Sequence, residues 1–387
     1  MNKTRALTLS LLLVFTAPAY SAETAKDNYN KGVTLAQKGN HNQAITFYTK
    51  ALEEKPQYTR AYHARGISYA ETGKYEEAIK DYDSAIKLSP KVDTYYYARG
   101  YAYKTQKEYD KALRDYSIAC RLNPKHDNAY VRQGVIYFIK KLYLQAIACY
   151  SKAIDINPNN KFAYYNRGVV YQTQKRYKEA IADYTEAIKI KPTANAYLNR
   201  GYLYRLRDPY KAIADFSKVI ELEPNNAKAY YNRGMAYDKQ QLYKDALADY
   251  TKVIELDPTH TNVYYNRGRL YSFSKAYALA ILDLQAAINL DPKNDAAYGS
   301  LAWIYATCSE KNFRDGEKAV EIAEKGFELE KTLLTINSLA AAYAEVGKFE
   351  EAVKIQEKAI ASTNELEKID EYKARIRLFK AQKPIRK

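Results

Sequence analysis

The feature that most constrains this chain is a proline that returns at a nearly constant interval of 34 residues. Eight prolines keep this interval, with one spacing shortened to 32 residues: Pro56, Pro90, Pro124, Pro158, Pro192, Pro224, Pro258 and Pro292. A period of this length is typical of stacked repeats, in which each repeat packs only against its neighbours. Because proline breaks a helix interior, its placement indicates short helices that end before each proline. The period therefore predicts one extended all-helical body rather than several globular domains.

Each repeat carries the same order of residue types, as residues 227–258 illustrate. A tyrosine is followed after four residues by a glycine and after three more by a second tyrosine, and an alanine, a tyrosine, an alanine and the proline follow. Ten repeats have this glycine or an alanine in its place: Gly32, Gly66, Gly100, Gly134, Gly168, Gly201, Gly234, Gly268, Ala302 and Ala340. A second glycine recurs seven residues later in three repeats, at Gly39, Gly73 and Gly347, where the chain must turn between two helices.

This pattern resembles the tetratricopeptide repeat family over residues 23–365. The resemblance implies an all-α, right-handed superhelical α-solenoid of about ten helix-turn-helix repeats, in which the first helix of each repeat (helix A) lines a concave groove. Residues 366–387 are amphipathic and basic. We expect them to form a capping helix and tail over the last hydrophobic face. The ninth repeat has about five extra residues between its helices and resembles a variant found in bacterial members of the family.

Residues 1–22 have the pattern of a secretory signal peptide. Lys3 and Arg5 precede an apolar run at residues 6–16, and small residues follow that run. The run is too short to cross a bilayer as a helix. We therefore expect an exported protein, periplasmic or secreted, that does not span a membrane.

Charge and the chemistry-bearing residues bound the function without selecting a partner. The formal net charge of +16 permits acidic proteins, anionic envelope polymers or nucleic acid. The three cysteines, Cys120, Cys149 and Cys308, form no CxxC motif, and we expect them to be core thiols. The histidines lack metal-site spacing, and no glycine-rich phosphate loop or GxSxG motif occurs. We expect no enzyme activity, no metal and no cofactor.

Numbering each repeat so that the helix A glycine is position 8 shows which residues share a face. Successive helical residues turn by about 100°, so positions 4, 8 and 11 face the second helix (helix B). In the seventh repeat these are Tyr230, Gly234 and Tyr237, with Ala246 and Tyr250 opposite them at positions 20 and 24. We expect the tyrosines at positions 4, 11 and 24 to be core residues whose hydroxyls reach a polar edge.

Position 7 carries an arginine in six repeats, and position 23 of the same six repeats carries an aspartate. The arginines are Arg65, Arg99, Arg167, Arg200, Arg233 and Arg267, and the aspartates are Asp81, Asp115, Asp183, Asp215, Asp249 and Asp283. The four repeats without the arginine also lack the aspartate. This co-occurrence predicts an ion pair that joins helix A to helix B within one repeat. We therefore exclude these arginines from the candidate ligand-binding residues.

Position 6 lies about 200° around helix A from position 8 and so points away from helix B. Four successive repeats have asparagine there: Asn166, Asn199, Asn232 and Asn266. Asparagine is a poor helix former, and its amide offers both donors and an acceptor to a peptide backbone. Some tetratricopeptide repeat proteins hold extended peptides with such a ladder, which is the role that the resemblance implies. The alternative is that these asparagines reflect the repeat consensus and are only solvated.

Aromatic and polar side chains flank this ladder. We predict a peptide-binding groove that contains, besides the four asparagines, Tyr97, Tyr165, Tyr231 and Tyr265 at position 5 and Tyr101, Tyr202, Arg269 and Trp303 at position 9. The position-2 residues do not form the two-carboxylate clamp that some family members use for acidic C-termini. The primary hypothesis is an exported, non-enzymatic scaffold for an extended polypeptide. Binding of an envelope glycan through the tyrosines is the alternative, and nucleic-acid binding is a third reading that conflicts with export.

Overall fold

The computed structural model describes residues 24–386, so the signal peptide predicted for residues 1–22 lies outside the described residues. Within 24–386 the chain forms 21 α-helices, one short 3-10 helix and no strand. The helices fall into two compact units, one ending at Lys175 and the other beginning at Arg176. In each unit consecutive helices pack against one another, which confirms the predicted all-α solenoid.

The N-terminal unit contains the first nine helices. They are α1 (Ala25–Gln37), α2 (His41–Glu54), α3 (Thr59–Glu71), α4 (Tyr75–Leu88), α5 (Asp93–Thr105), α6 (Tyr109–Leu122), α7 (Asp127–Ile139), α8 (Tyr143–Ile156) and α9 (Lys161–Thr173). Odd-numbered helices are the A helices and even-numbered helices are the B helices. The same alternation continues in the C-terminal unit.

The C-terminal unit contains the other twelve helices. They are α10 (Tyr177–Ile190), α11 (Ala194–Tyr204), α12 (Pro209–Leu222), α13 (Ala227–Lys239), α14 (Tyr243–Leu256), α15 (Thr261–Phe273), α16 (Tyr277–Leu290), α17 (Asp295–Thr307), α18 (Gly316–Leu329), α19 (Leu333–Glu345), α20 (Phe349–Ala361) and α21 (Leu366–Lys380). The 3-10 helix at Lys311–Phe313 lies within the insertion of the ninth repeat. Helix α21 places Tyr372 and Phe379 in the hydrophobic cluster of the last repeats.

The glycine at position 8 allows helix B to approach helix A, as the sequence predicts. A Cβ added to Gly234 would lie 2.8 Å from Cε1 of Tyr250, and one added to Gly66 would lie 2.6 Å from Cε1 of Tyr82. The position-24 ring therefore fills the space that a side chain would take. Six tyrosines at position 24 are at most 2% exposed: Tyr48, Tyr82, Tyr116, Tyr150, Tyr184 and Tyr250.

The arginine at position 7 pairs with the aspartate at position 23, which confirms the prediction in five repeats. In the seventh repeat Nε and Nη2 of Arg233 each donate to one carboxylate oxygen of Asp249 at 2.8 Å. The side chain of Asp249 is 6% exposed and that of Arg233 is 19% exposed. Hydrogen bonding to Asp249 raises the pKa of Arg233. The same pairs form at Arg65–Asp81, Arg99–Asp115, Arg200–Asp215 and Arg267–Asp283.

The remaining predicted pair has one residue in each compact unit. Arg167 belongs to the N-terminal unit and Asp183 to the C-terminal unit, so this pair stays a prediction.

Each of these arginines also reaches the preceding repeat, which the sequence reasoning did not predict. Nη1 of Arg233 donates to Oγ of Ser217 at 3.0 Å, and Nη1 of Arg99 donates to Oδ1 of Asp83 at 2.6 Å. The acceptor lies 16 residues before the arginine in both cases. One guanidinium thus connects three helices, the A and B helices of its own repeat and the B helix of the repeat before.

The tyrosines at positions 4 and 11 pack against the core, as expected, but they are less buried than the position-24 rings. Tyr230 and Tyr237 are half-buried. Their ring centroids lie 5.6 and 5.7 Å from Cζ of Arg233, one on each side in sequence. These distances allow cation–π contact. The rings therefore lie at the edge of the core, where they pack against its buried residues and also shield the guanidinium from water.

The turn between helices A and B requires a left-handed residue at position 15 in the full-length repeats. Gly39, Gly73 and Gly347 have φ of +80°, +78° and +80° there, as predicted for helix-ending glycines. Five other repeats place a lysine or glutamine in the same conformation, with φ between 59° and 64°: Lys107, Lys141, Lys175, Gln241 and Lys275. Side chains with a Cβ adopt this region at a cost in free energy, so these five turns are strained.

Replacing Lys107, which is exposed and has φ of 64°, by glycine should stabilise the protein by about 1 kcal/mol, because the left-handed strain is removed. The measurement is the urea midpoint of unfolding followed by circular dichroism. Gly73→Ala should have the opposite sign. A loss of stability in Lys107→Gly would contradict this interpretation of the turn.

Replacing Asp249 by asparagine should destabilise helices α13 and α14 by about 3 kcal/mol, because a partly buried guanidinium loses its counter-charge. Native-state hydrogen exchange of the amides in these helices measures the loss locally. The fourth repeat supplies the control, since it has Gln133 and Cys149 at the two positions. The double variant Arg233→Gln, Asp249→Cys should lose less than Asp249→Asn alone, and an equal or larger loss would argue against the pair.

Candidate functional site

The A-helix face, defined as the residues at positions 2, 5, 6, 9 and 13 of the A helices, carries a cavity in the N-terminal unit. This cavity has a volume of about 260 Å³ and is lined by His63, Ile67, Ala70, Glu71, Tyr82, Thr94, Tyr97, Ala98 and Tyr101. The predicted residues Tyr97 and Tyr101 thus line one site. Burial lowers the pKa of His63 to about 4, so this imidazole is neutral near pH 7. Glu71 is the one acidic residue in this lining, which is otherwise apolar or aromatic except for Thr94.

Tyr97 and Tyr101 are held by neighbouring polar groups. The ring centroid of Tyr97 lies 4.8 Å from that of His126, and its hydroxyl accepts a hydrogen bond from Nε of Arg132 at 3.3 Å. Tyr101 is 38% exposed, and Cζ of Arg132 lies 5.6 Å from its ring centroid. Arg132, at position 6, therefore orders both rings without closing the cavity.

A larger cavity lies on the A-helix face of the C-terminal unit. Its volume is about 590 Å³, and its walls come from α15, α17, α19 and α21. The lining consists of Tyr265, Arg269, Ser272, Phe273, Ser300, Trp303, Leu334, Asn337, Lys368, Glu371, Tyr372 and Arg375. The structure therefore brings together three predicted residues, Tyr265, Arg269 and Trp303. Volumes of roughly 300–1,000 Å³ are typical of ligand-binding clefts.

A buried arginine forms one wall of this cavity. Arg375 is 9% exposed, and its Nη1 donates to Oδ1 of Asn337 at 2.9 Å. Its Nη2 donates to Glu371, and its Cζ lies 4.9 Å from the ring centroid of Trp303. Asn337 in turn donates to the hydroxyl of Tyr372 at 3.0 Å. These contacts fix the guanidinium and leave Glu371, whose side chain is 50% exposed, at the edge.

Sequence reasoning missed Asn337, at position 5 of the tenth repeat, because only tyrosines were selected at that position. It missed Glu371 and Arg375 because it treated α21 only as a cap. The repeat period contains a signal for them. Arg375 lies 34 residues after Ala341, which is position 9 of the tenth repeat, so α21 stands where the next A helix would be.

The four position-6 asparagines have different surroundings. Asn166 and Asn199 are half-buried, the first in the N-terminal unit and the second in the C-terminal unit. Asn232 is 5% exposed and differs from the expectation of an amide open to a ligand. Its Nδ2 donates to the hydroxyl of Tyr202 at 3.2 Å and to the carbonyl of Lys228 at 2.7 Å.

The carbonyl of Asn232 is also used within the protein. Its Oδ1 accepts a hydrogen bond from Nη1 of Arg205 at 2.9 Å. Arg205 belongs to the shortened turn of the sixth repeat, which ends α11 at Tyr204. The shortened turn therefore provides Arg205, whose hydrogen bond occupies the side-chain carbonyl of Asn232.

Asn266 keeps one side of its amide available. Its Nδ2 donates to the hydroxyl of Tyr231 at 3.3 Å, and the side chain is half-buried. Tyr231 also lies against His260, with 4.5 Å between ring centroids. Position 6 thus donates to a tyrosine hydroxyl of the preceding repeat in three places, at Arg132, Asn232 and Asn266.

The other predicted residues retain partial exposure. Tyr165, Tyr202 and Tyr265 are half-buried. Arg269 forms an ion pair with Asp238, and its Cζ lies 5.2 Å from the ring centroid of Phe273. Arg269 therefore lines the cavity as a neutralised cation.

The insertion of the ninth repeat is held by structural contacts. The side chain of Asp315 accepts from the backbone N–H of Lys318 at 3.0 Å and so caps α18. Arg314 donates to the carbonyl of Cys308 at 2.9 Å and pairs with Glu345. Cys308 is buried, and all three cysteines are unpaired thiols. Residues 24–386 contain no cluster of His, Cys, Asp or Glu suited to a metal ion.

None of the helices within residues 24–386 is long and apolar enough to cross a membrane.

Replacing Asn232 by alanine should destabilise α13 by about 2 kcal/mol, because the hydroxyl of Tyr202 and the guanidinium of Arg205 lose buried partners. Asn166→Ala is the matched control, since no side-chain hydrogen bond of Asn166 is found within the described residues. Urea unfolding compares the two variants. Equal stability of both variants would show that the network around Asn232 contributes nothing.

Comparison with solved structures finds repeat proteins of low sequence identity. YrrB, described as a tetratricopeptide repeat protein with an unusual peptide-binding site, is 25% identical, covers 47% of this chain and 95% of its own, and has a TM-score of 0.45. A tetratricopeptide repeat protein from Parabacteroides merdae is 23% identical over 66% of this chain and 98% of its own, with a TM-score of 0.46. Yeast Tom70 is 17% identical over 92% of this chain and 96% of its own, with a TM-score of 0.37.

Because these TM-scores are below 0.5, the solved structures are not used to assign the family, and the assignment rests on the sequence. No curated protein matches the chain significantly. Profiles described as "Tetratricopeptide repeat" or "TPR repeat" match along most of it, at residues 28–58, 47–80, 68–107, 94–126, 134–175, 162–193, 211–241, 227–260, 249–281 and 332–370. Together with the helix pairs of both units, these matches establish that the chain belongs to the tetratricopeptide repeat family.

Proposed function

We propose that this protein is a non-catalytic interaction scaffold that holds an extended polypeptide segment on its A-helix face. The observation that carries the proposal is the pair of cavities on this face, one in each unit, each lined by aromatic residues at positions 5 and 9. Partner-binding surfaces are enriched in tyrosine, tryptophan and arginine, which supply apolar contact area and polar orientation. Family membership favours the same class of function.

The position-6 asparagines contribute unequally to peptide binding. Asn166 and Asn266 offer polar atoms to a peptide backbone, whereas the amide of Asn232 is occupied by Tyr202, Lys228 and Arg205. In the C-terminal unit, peptide contacts therefore combine the aromatic cavity with the amide of Asn266, instead of following an unbroken ladder of asparagines. We further propose that the protein acts after export, on the basis of the signal-like residues 1–22.

Binding of an envelope glycan is the second candidate. Its support is the partial exposure of rings on the same face, 38% for Tyr101 and 61% for Phe273. Sugar rings stack on such surfaces as readily as peptide side chains do, so only a binding experiment separates the two.

Selection of peptides from a displayed random library on the immobilised full-length chain tests the proposal. Enriched peptides should bind the soluble protein in fluorescence anisotropy. Tyr101→Ala or Phe273→Ala should weaken at least one of them about tenfold, as expected for loss of an aromatic contact worth about 1.4 kcal/mol. Matched controls are Leu144→Ala in α8 and Leu282→Ala in α16, which remove side chains that are 75% and 66% exposed on B helices.

Two results would overturn the proposal. One is equal weakening by the control variants, which would place the peptide outside the A-helix face. The other is enrichment of no peptide combined with retention of the protein on purified wall polymer, which would support the glycan candidate.

A further inference from the structure

We propose that the cavity of the C-terminal unit is a specificity site for an aromatic residue next to an acidic residue in the bound polypeptide. The ligand carboxylate takes the place of Glu371 on Arg375. This inference rests on the proposed function and adds the sequence preference of the partner.

The aromatic preference follows from the lining. Four of the twelve lining side chains are aromatic, namely Tyr265, Phe273, Trp303 and Tyr372, and Leu334 adds aliphatic surface. Two guanidinium groups lie over rings in this cavity, that of Arg375 at 4.9 Å from Trp303 and that of Arg269 at 5.2 Å from Phe273. Guanidinium planes and ring edges favour a flat aromatic side chain between them.

The acidic preference follows from the charges. Arg269, Lys368 and Arg375 line the cavity, whereas Glu371 is the one acidic residue in the lining. Asp238 neutralises Arg269, and its side chain is only 17% exposed, so a ligand carboxylate does not readily displace it from that pair. Lys368 pairs with Glu365 at 2.8 Å, and both of these side chains are largely solvated. The pair of Arg375 with Glu371 is therefore the place where a ligand carboxylate gains most.

Arg375 is built to receive a carboxylate. Its side chain is 11% exposed, and Asn337 and the Trp303 ring hold the guanidinium from two sides. Glu371 approaches from the solvent side with half of its side chain exposed, and it lies one helical turn before Arg375 on α21. Only the Glu371 side of this pair is open to solvent, so an incoming carboxylate that makes the same bonds to the buried guanidinium can displace Glu371. Glu371 thus acts as an internal competitor for the ligand.

A polypeptide fits this site better than an acidic sugar. Sugar recognition uses open ring faces, whereas Arg375 lies over the rings of both Trp303 and Tyr372 in this cavity. A cavity with guanidinium groups in its walls accepts a planar aromatic side chain more readily than a puckered sugar ring. The acidic sugar is retained below as a competing outcome.

The chain supplies its own reporter for the test, because Trp303 is its single tryptophan. The probes are capped decapeptides of glycine and serine with a central Phe-Asp, Phe-Asn or Ala-Asp pair, added to the full-length protein. We expect the Phe-Asp peptide to change Trp303 fluorescence at the lowest concentration and to bind less tightly as salt is raised. Binding of Phe-Asn as tight as that of Phe-Asp would overturn the inference, whatever the variants show.

Glu371→Gln should strengthen binding of the Phe-Asp peptide at least about fivefold, or about 1 kcal/mol, because the buried guanidinium loses its internal counter-charge. It should leave binding of the Phe-Asn peptide within twofold. Glu367→Gln, an exposed position on the same helix, is the control for the change in net charge. Equal strengthening by both variants would reduce the effect to long-range attraction and would overturn the inference.

The test separates this inference from the proposed function. Peptides that are bound without any change at Trp303 would contradict the specificity site and leave the scaffold proposal standing. Binding of no peptide to either unit would contradict both. A change at Trp303 with a capped oligogalacturonate but with no peptide would overturn the inference in favour of an acidic sugar.

Discussion

In six repeats, the contact between the position-8 glycine and the position-24 ring determines how closely helix B approaches helix A. A Cβ on Gly234 would meet the ring of Tyr250 at 2.8 Å, so the two helices approach along this line and no other. Once that face of helix A is committed to helix B, positions 5, 6 and 9 must lie on another side. The A-helix face, with its two cavities, is a consequence of this packing.

The position-7 arginine then links one pair to the next. Its two bonds to the aspartate satisfy a carboxylate that is almost fully buried, and its third bond reaches the B helix of the preceding repeat. A buried ion pair of this kind adds little net stability, but it disfavours helix arrangements in which the two charges are separated. We therefore attribute to it the register between repeats rather than the bulk of the folding free energy, which comes from the buried alanines and aromatic rings.

Repetition made most of the fold predictable from sequence. The proline period gave the helix pairs, and the joint presence of Arg233 and Asp249 in the same repeat gave their contact. The repeat pattern does not predict contacts made by residues that depart from it. The amide of Asn232 is closed by Arg205, a residue from the one turn that lost a residue. The acceptor at Ser217 was also missed, although a hydroxyl or an aspartate recurs at that position.

The candidate site shows the same limit. Tyr265, Arg269 and Trp303 were identified from their positions in the repeat, and they do line one cavity. Glu371 and Arg375 were missed because α21 lies beyond the last recognisable repeat. Its sequence keeps the 34-residue spacing but lacks the glycine that marks an A helix, and the structure places Arg375 against Trp303. Side chains at the end of an array acquire roles that the consensus does not contain.

The central claim is that the A-helix face, and not the exposed surface of the B helices, receives the partner. The most direct test is a nuclear magnetic resonance measurement. Spectra of the protein isotopically labelled at tyrosine and tryptophan are recorded with and without a selected peptide. The account predicts that the signals of residues such as Tyr101 and Trp303 shift on binding, while that of Tyr210, a B-helix residue that is 67% exposed, stays in place. Shifts at Tyr210 with unchanged A-helix signals would contradict it.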